Sequence, residues 1–173
     1  MSWPSVRILN VLGFGACCAM LAYALYAQHF LGLEPCPLCM FQRVGVAALG
    51  CAFLVAALHR PKSAIGARIN ASLVGLAALL PAGVAARHVY VQSQPPGSVP
   101  SCGATLDYML DVFPLLDVVK RVLTGGGECA KIDWAFLGLS MPAWVLAMSL
   151  AIGALGVIAN SADVPPRGPR FAL

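Results

Sequence analysis

The sequence predicts an all-α membrane protein, a four-transmembrane-helix bundle with both termini in the cytoplasm. Composition indicates a membrane environment, because the 173 residues are 60% hydrophobic and only 10% charged, with a mean hydropathy of +0.82. A soluble domain carries about 25% charged residues. So few charges cannot cover a water-facing surface, and lipid must therefore cover much of the chain. The length allows one domain, 1–173, and no second one.

Four long apolar runs predict the four helices. A helix needs about 20 residues to cross a hydrocarbon core of roughly 30 Å. We expect the spans at 10–31, 39–59, 68–90 and 142–161. A cleaved signal peptide is the alternative for the first run, but the run is too long and no small-residue cleavage site follows it.

The distribution of charge predicts the orientation, because short cytoplasmic loops carry an excess of Lys and Arg. One side of the bundle has a single acid, Asp163, and six basic residues: Arg7, Arg60, Lys62, Arg68, Arg167 and Arg170. We therefore place loop 60–67 in the cytoplasm and loops 32–38 and 92–141 in the periplasm. The basic residues are scattered and lack interleaved aromatic residues, so the net charge of +4 does not indicate a nucleic-acid partner.

The second periplasmic loop contains an amphipathic segment. From Leu110 to Leu123, apolar and charged residues alternate at roughly helical spacing. We predict a short interfacial helix that lies on the membrane surface. The alternative is a helix packed on the protein's own outer face. Either arrangement would hold the loop close to the bilayer between Cys102 and Cys129.

Four of the seven cysteines lie in the two periplasmic loops. Cys36 and Cys39 form a C-x-x-C motif. A disulfide between them would close too short a loop to add much stability, and the motif is typical of redox-active sites. Cys102 and Cys129 enclose 26 residues, and a purely structural disulfide is possible there. Four thiolates could alternatively hold zinc, but structural zinc sites usually use two C-x-x-C-like pairs, so we expect no metal. The remaining cysteines are interpreted as small hydrophobes within the spans: Cys17, Cys18 and Cys51.

Cys39 is the cysteine most suited to form a reactive thiolate. If the second helix starts at about Leu38 or Cys39, this thiol lies beside the unpaired N–H groups of the first turn, at the positive end of the helix dipole. Arg43 follows one turn later on the same face. Arg43 either snorkels to lipid headgroups or supports the thiolate and an electron acceptor. His88, near the outer end of the third helix, is either an interfacial polar residue or a hydrogen-bond donor in a pocket.

Three stretches and one further cysteine match a known family. They are 34–43 (EPCPLCMFQR), 127–130 (GECA), 134–144 (WAFLGLSMPAW) and Cys102. With these residues the chain resembles the DsbB family of disulfide bond formation proteins, and the resemblance covers most of the chain. A C-x-x-C motif alone would be weak evidence for the family, whereas four cysteines in the matching loops of a four-span protein are a specific pattern.

The resemblance implies a thiol:quinone oxidoreductase of the bacterial inner membrane. A reduced, periplasmic DsbA-like thiol oxidase would attack the Cys102–Cys129 disulfide at Cys102. The freed Cys129 would attack Cys36, and Cys39 would then pass electrons to ubiquinone or menaquinone from the membrane quinone pool. Arg43 and His88 would contribute to the quinone site. One residue departs from the family pattern, because Gln42 stands where some members carry an acid, and this leaves the proton donor to the quinone unassigned.

Two other functions compete with this interpretation. A non-enzymatic membrane scaffold with structural disulfides would resist a reduced DsbA-like partner. A reductase similar to the vitamin K epoxide reductase family would use the same C-x-x-C chemistry with electrons flowing in the opposite direction. The short first outer loop and the position of Cys39 at a helix start argue against the reductase.

Overall fold

The computed structural model describes residues 3–59, 61, 63–95 and 106–162. Its four longest helices are apolar enough to cross a membrane: α1 (Trp3–Phe30), α2 (Pro37–Leu58), α3 (Ala64–Gln92) and α7 (Met141–Ala162). Between α3 and α7 lie three short helices and a hairpin: α4 (Leu106–Val112), α5 (Leu115–Thr124), α6 (Gly127–Ala130), β1 (Ala135–Phe136) and β2 (Leu139–Ser140). The four-helix membrane fold is therefore confirmed, while the cytoplasmic placement of the termini stays a prediction.

The second helix begins earlier than the sequence predicted. Pro37 is its first residue and Cys36 is its N-cap, with an extended backbone at ψ 165°. Proline fits the first helical position because the N–H that it lacks would have no partner there. Cys39 therefore lies within the first turn instead of opening it.

The other long helices extend beyond their predicted apolar cores, because a charged residue does not stop a helix. The first helix begins at Trp3, well before position 10. The third begins at Ala64, where the Ser63 hydroxyl accepts a hydrogen bond from the Gly66 N–H at 3.2 Å. This N-cap explains why α3 starts four residues before the predicted span.

Helix α3 packs along both α2 and α7, while α1 packs mainly on α2 and only lightly on α7. Small residues allow the close approach of α3 and α7, because a Cβ atom at Gly153 would overlap the Cβ atom of Ala78. Close packing of this kind drives helix association where lipid supplies no hydrophobic force. The contact between α1 and α7 includes a buried pair of reciprocal hydrogen bonds between Asn10 and Asn160, at 3.1 and 2.9 Å.

We call the end of the bundle where α2 starts and α3 stops the cysteine end. There, α5 packs Val118 and Val122 into a buried apolar cluster with Leu38 of α2 and Val91 of α3. The same cluster includes Cys129 of α6. The loop elements are thus folded onto the bundle by apolar contacts.

The predicted amphipathic helix is interrupted. Phe113 and Pro114 separate α4 from α5, because proline cannot continue the hydrogen bonding of the preceding turn. In α5, Val118 and Val122 face the protein core, while Leu115 and Leu116 are exposed. The contact with the protein's own outer face is therefore present, and the membrane location of the exposed residues stays a prediction.

A small β-hairpin was not predicted for this all-α fold. Ala135 pairs with Ser140 and Phe136 pairs with Leu139. The two turn residues, Leu137 and Gly138, both have positive φ angles of 51° and 78°. This is the geometry of the two-residue turn that suits the twist of antiparallel strands. The hairpin leads directly into Met141, the first residue of α7.

The packing of α3 on α7 gives a stability prediction. Gly153→Ala should lower the free energy of unfolding by about 1–3 kcal/mol, because the new methyl group has to displace Ala78 and its backbone. Gly83→Ala on α3 is the matched control, since a Cβ atom there meets nothing within 4 Å. Titration of the purified protein with a denaturing detergent measures both values. Equal stability of the two variants would contradict the packing described for α3 and α7.

Candidate functional site

The C-x-x-C motif lies at the junction of an extended segment and α2. Cys36 caps the helix without a side-chain hydrogen bond to its N–H groups, and Cys39 belongs to the first turn. The two sulfur atoms are 3.3 Å apart, and both cysteines are half-buried thiols. A disulfide has an S–S length of about 2.05 Å, so only a small movement separates these thiols from a bond.

Cys129 lies beside this pair although it is distant in sequence. It is buried in α6, within the apolar cluster of the cysteine end. The sulfur atoms of Cys36 and Cys129 and a ring nitrogen of His88 all lie within 4.8 Å of one another. Cys36 therefore contacts Cys39 on one side and approaches Cys129 on the other. Zinc also favours these ligand atoms, so the expected absence of a metal stays a prediction.

Cys102, the fourth predicted redox cysteine, lies outside the described residues. Its pairing with Cys129 is therefore a prediction. Among the described cysteines none is in a disulfide.

His88 is a buried residue of the site. Its Nδ1 atom is 2.8 Å from the Gln42 side-chain nitrogen, and its Nε2 atom is 3.1 Å from the carbonyl oxygen of Cys129. The Nε2 atom is also 3.7 Å from the Cys36 sulfur. His88 thus connects α2, α3 and the segment that carries Cys129.

Gln42 is a site residue whose role the sequence analysis missed. It is 4% exposed, and its side chain is bonded to His88. One available signal was a polar side chain within an apolar span, because such residues tend to be functional. A second was its spacing of three residues from Cys39, which places both on the same side of α2.

Arg43 is held inside the bundle by α1. Its guanidinium group donates to the Gln28 side-chain oxygen at 2.5 Å and to the carbonyl oxygen of Ala24 at 3.0 Å. These contacts bond the charged group to α1, and the choice between snorkelling to headgroups and support of a thiolate stays a prediction. Gln28 is a second residue that the sequence analysis missed, because its partner lies on another helix.

An open cavity of about 110 Å³ joins these residues. Cys39, Arg43 and His88 line its polar part, and its apolar wall comes from Met20 and Leu21 of α1 with Val145 of α7 and Val46 of α2. Small-molecule sites are typically apolar clefts with a few placed polar groups. The cavity therefore has the mixed apolar and polar lining of a small-molecule site.

The environment of Cys129 keeps its thiol protonated in the reduced state. A hydrogen bond with Cys36 and then burial raise the pKa of Cys129 above the ordinary thiol range. The folded chain therefore binds this proton more tightly than the unfolded chain. The group stabilises the fold below the ordinary thiol pKa, and this contribution is lost as the pH rises from that value through the raised pKa of the folded chain.

Alkylation of the reduced protein tests this pKa. We expect the rate at Cys129 to rise with pH along a curve whose midpoint lies above that of an ordinary thiol. Cys36→Ala should lower the midpoint, because it removes the largest cause of the shift. Cys39→Ala is the control and should leave it raised. Mass spectrometry resolves the individual cysteines, and identical midpoints in both variants would contradict the role of Cys36.

Comparison with known proteins identifies the family. The family model described as "Disulfide bond formation protein DsbB" matches residues 6–159. A relative from Methylococcus capsulatus named "Disulfide bond formation protein B" is 51% identical over 158 residues, which cover 91% of this chain and 96% of the relative. Relatives of the same name from Acinetobacter baumannii and Xanthomonas euvesicatoria are 49% and 48% identical, covering 86% and 87% of this chain and 86% and 89% of theirs. The chain belongs to the DsbB family of disulfide bond formation proteins, and it is a multi-pass membrane protein with a disulfide-forming oxidoreductase activity.

Proposed function

We propose that this protein is a thiol:quinone oxidoreductase of the bacterial inner membrane. It reoxidises a periplasmic DsbA-like thiol oxidase and passes the electrons through two cysteine pairs to a membrane quinone. The placement of Cys36 between Cys39 and Cys129 supports this proposal most, because a relay between two pairs needs one sulfur within reach of both. Membership of the DsbB family supports the disulfide chemistry.

The first exchange takes two electrons from the partner. A partner thiolate attacks Cys102, the Cys102–Cys129 bond breaks, and Cys129 leaves as a thiolate. The partner's second thiolate then attacks the mixed disulfide, which completes the partner's disulfide and frees Cys102. The partner has lost two electrons and two thiol protons, and Cys102 and Cys129 hold the electrons.

The second exchange moves these electrons to the C-x-x-C pair. The Cys129 thiolate attacks Cys36, the Cys36–Cys39 bond breaks, and Cys39 is released as a thiolate in the first turn of α2. Attack of Cys102 on Cys129 then restores the first disulfide and releases Cys36. Thiol–disulfide exchange requires the attacking sulfur to reach one end of the target bond, and Cys36 is the end that Cys129 approaches.

The lining of the cavity beside Cys39 supports a quinone as the electron acceptor. A bound quinone would accept two electrons and two protons as the Cys36–Cys39 disulfide forms again. Cys39 and Arg43 line the polar part of the cavity, where the carbonyl groups of a ring would meet donors, and Met20 and Val145 are suited to its apolar tail. The hydrogen bonds from Arg43 to Gln28 and Ala24 hold this cation at a fixed place between α1 and α2.

The redox potential of the partner explains the need for such an acceptor. DsbA-type oxidases have potentials near about −120 mV, a property of that class and not a result of this structure. An ordinary protein disulfide is a weaker oxidant, and for a two-electron couple each 30 mV is worth about 1.4 kcal/mol. A cofactor of higher potential is therefore required, and the protein supplies position and charge around it.

Loss of Cys39 should abolish quinone reduction. In Cys39→Ser, the sulfur that faces the cavity is replaced by a hydroxyl group, which cannot form the disulfide. We would follow the ultraviolet absorbance of added quinone with a reduced DsbA-like protein as the electron donor. Cys51→Ser on the same helix is the control, because Cys51 is exposed on α2 outside the site. Undiminished quinone reduction by Cys39→Ser would contradict the proposal.

Loss of Arg43 should weaken the use of quinone. Arg43→Ala is expected to raise the apparent KM for quinone about tenfold, the effect of about 1.4 kcal/mol of lost interaction. Arg68→Ala removes an exposed cation near the opposite end of α3 and should leave this KM unchanged. An unchanged KM and rate in Arg43→Ala would instead favour a role in headgroup contact.

A further inference from the structure

Three buried groups form a continuous polar chain across the cysteine end. The Gln42 side-chain nitrogen meets His88 Nδ1 at 2.8 Å, and His88 Nε2 meets the Cys129 carbonyl oxygen at 3.1 Å. His88 and Cys129 are each 2% exposed. Such groups are costly to bury unless every donor and acceptor is matched, so their arrangement is tightly constrained.

The partners determine where His88 carries its proton. A main-chain carbonyl oxygen can only accept a hydrogen bond, so the Nε2 atom that faces Cys129 has to be the N–H donor. In neutral histidine the other nitrogen is then an acceptor. The NH₂ group of Gln42 is a donor placed at Nδ1. Gln42 therefore favours the tautomer of His88 that can bond to Cys129.

The same N–H group faces the sulfur chemistry. Cys36 Sγ lies 3.7 Å from His88 Nε2, within the range of a weak N–H to sulfur contact. The Nε2–H group of His88 thus lies against the main-chain carbonyl of Cys129, the attacking cysteine. It also lies against the sulfur atom of Cys36, which Cys129 attacks. Both nitrogens of His88 already have protein partners, although the ring also borders the cavity.

We propose that Gln42 is a positioning residue that keeps the His88 proton on Nε2, so that His88 holds the Cys129 segment against Cys36 for exchange between the two cysteine pairs. This inference rests on the proposed function. In the exchange the Cys36–Cys129 bond forms, the Cys36–Cys39 bond breaks and the electron pair leaves on Cys39. His88 keeps its proton throughout and contributes only hydrogen bonds.

The tautomer can be measured without any activity. In ¹⁵N-histidine NMR spectra of the reduced protein, His88 should show a protonated Nε2 and an unprotonated Nδ1. Gln42→Met preserves the length of the side chain but removes the donor, and it should give a mixture of tautomers. Gln92→Met is the matched control, because the Gln92 side chain also anchors this segment, donating to the Lys131 carbonyl oxygen at 3.3 Å and accepting from the Ser140 hydroxyl, and neither bond involves the His88 side chain. A wild-type spectrum with the proton on Nδ1 overturns the inference whether or not either variant folds.

The exchange step supplies the second readout. After mixing with a reduced DsbA-like partner, acid quenching and alkylation, mass spectrometry follows the Cys36–Cys129 disulfide. Gln42→Met should slow its appearance about tenfold, the effect of about 1.4 kcal/mol, while partner attack on Cys102–Cys129 keeps its rate. Gln92→Met should slow it less. Equal slowing in both variants, or no slowing in Gln42→Met, overturns the inference.

Failure of the proposed function would look different. If the wild-type protein oxidises its partner without forming any Cys36–Cys129 disulfide, the relay itself is wrong. If it forms this disulfide and Gln42→Met forms it equally fast, only the role of Gln42 is wrong.

Discussion

The docking of the Cys129 segment onto the ends of α2 and α3 is the constraint on which the site depends. Cys129 follows a long connection from α3, and a free loop would rarely bring its sulfur to Cys36. Val118 and Val122 of α5 fix the connection by packing on Leu38 and Val91. Burying each such side chain contributes about 1.5–3 kcal/mol relative to exposing it, so this contact offsets part of the entropy of ordering the segment.

Polar contacts then fix the position of the Cys129 segment along α3, which apolar packing alone does not determine. Hydrophobic contact has little directional preference, whereas a hydrogen bond to one carbonyl group selects one position of the chain. His88 makes that bond to Cys129, and Arg87 on the same helix donates to the carbonyl oxygens of Leu123 and Thr124 at the end of α5. Two neighbouring residues of α3 thus hold the segment at two points. Apolar packing and directed hydrogen bonds together explain why Cys129, which follows a long connection, is buried with its sulfur atom close to that of Cys36.

The sequence was sufficient for the features that depend on local pattern. The four spans follow from apolar runs, and the C-x-x-C motif is visible as such. Helix α2 starts one or two residues before the predicted position, because Pro37 is favoured as the first residue of a helix. The continuous amphipathic helix was wrong because Pro114 divides it. The partners of Gln42 and Gln28 could not be predicted, since each lies on another helix and depends on how the bundle packs.

The geometry of α1 and α7 explains how a cavity is kept at the cysteine end. Asn10 and Asn160 join these helices through two buried hydrogen bonds far from the cysteines. Towards the cysteine end, the cavity is bordered instead by Leu21 of α1 and Val145 of α7. Trp134, which precedes the hairpin, packs edge-on against Tyr23 and also borders the cavity. An aromatic side chain thus lies beside the opening, where helix-to-helix packing would otherwise fill it. Tight polar contact at one end and aromatic contact at the other let this bundle keep an open volume next to Cys39.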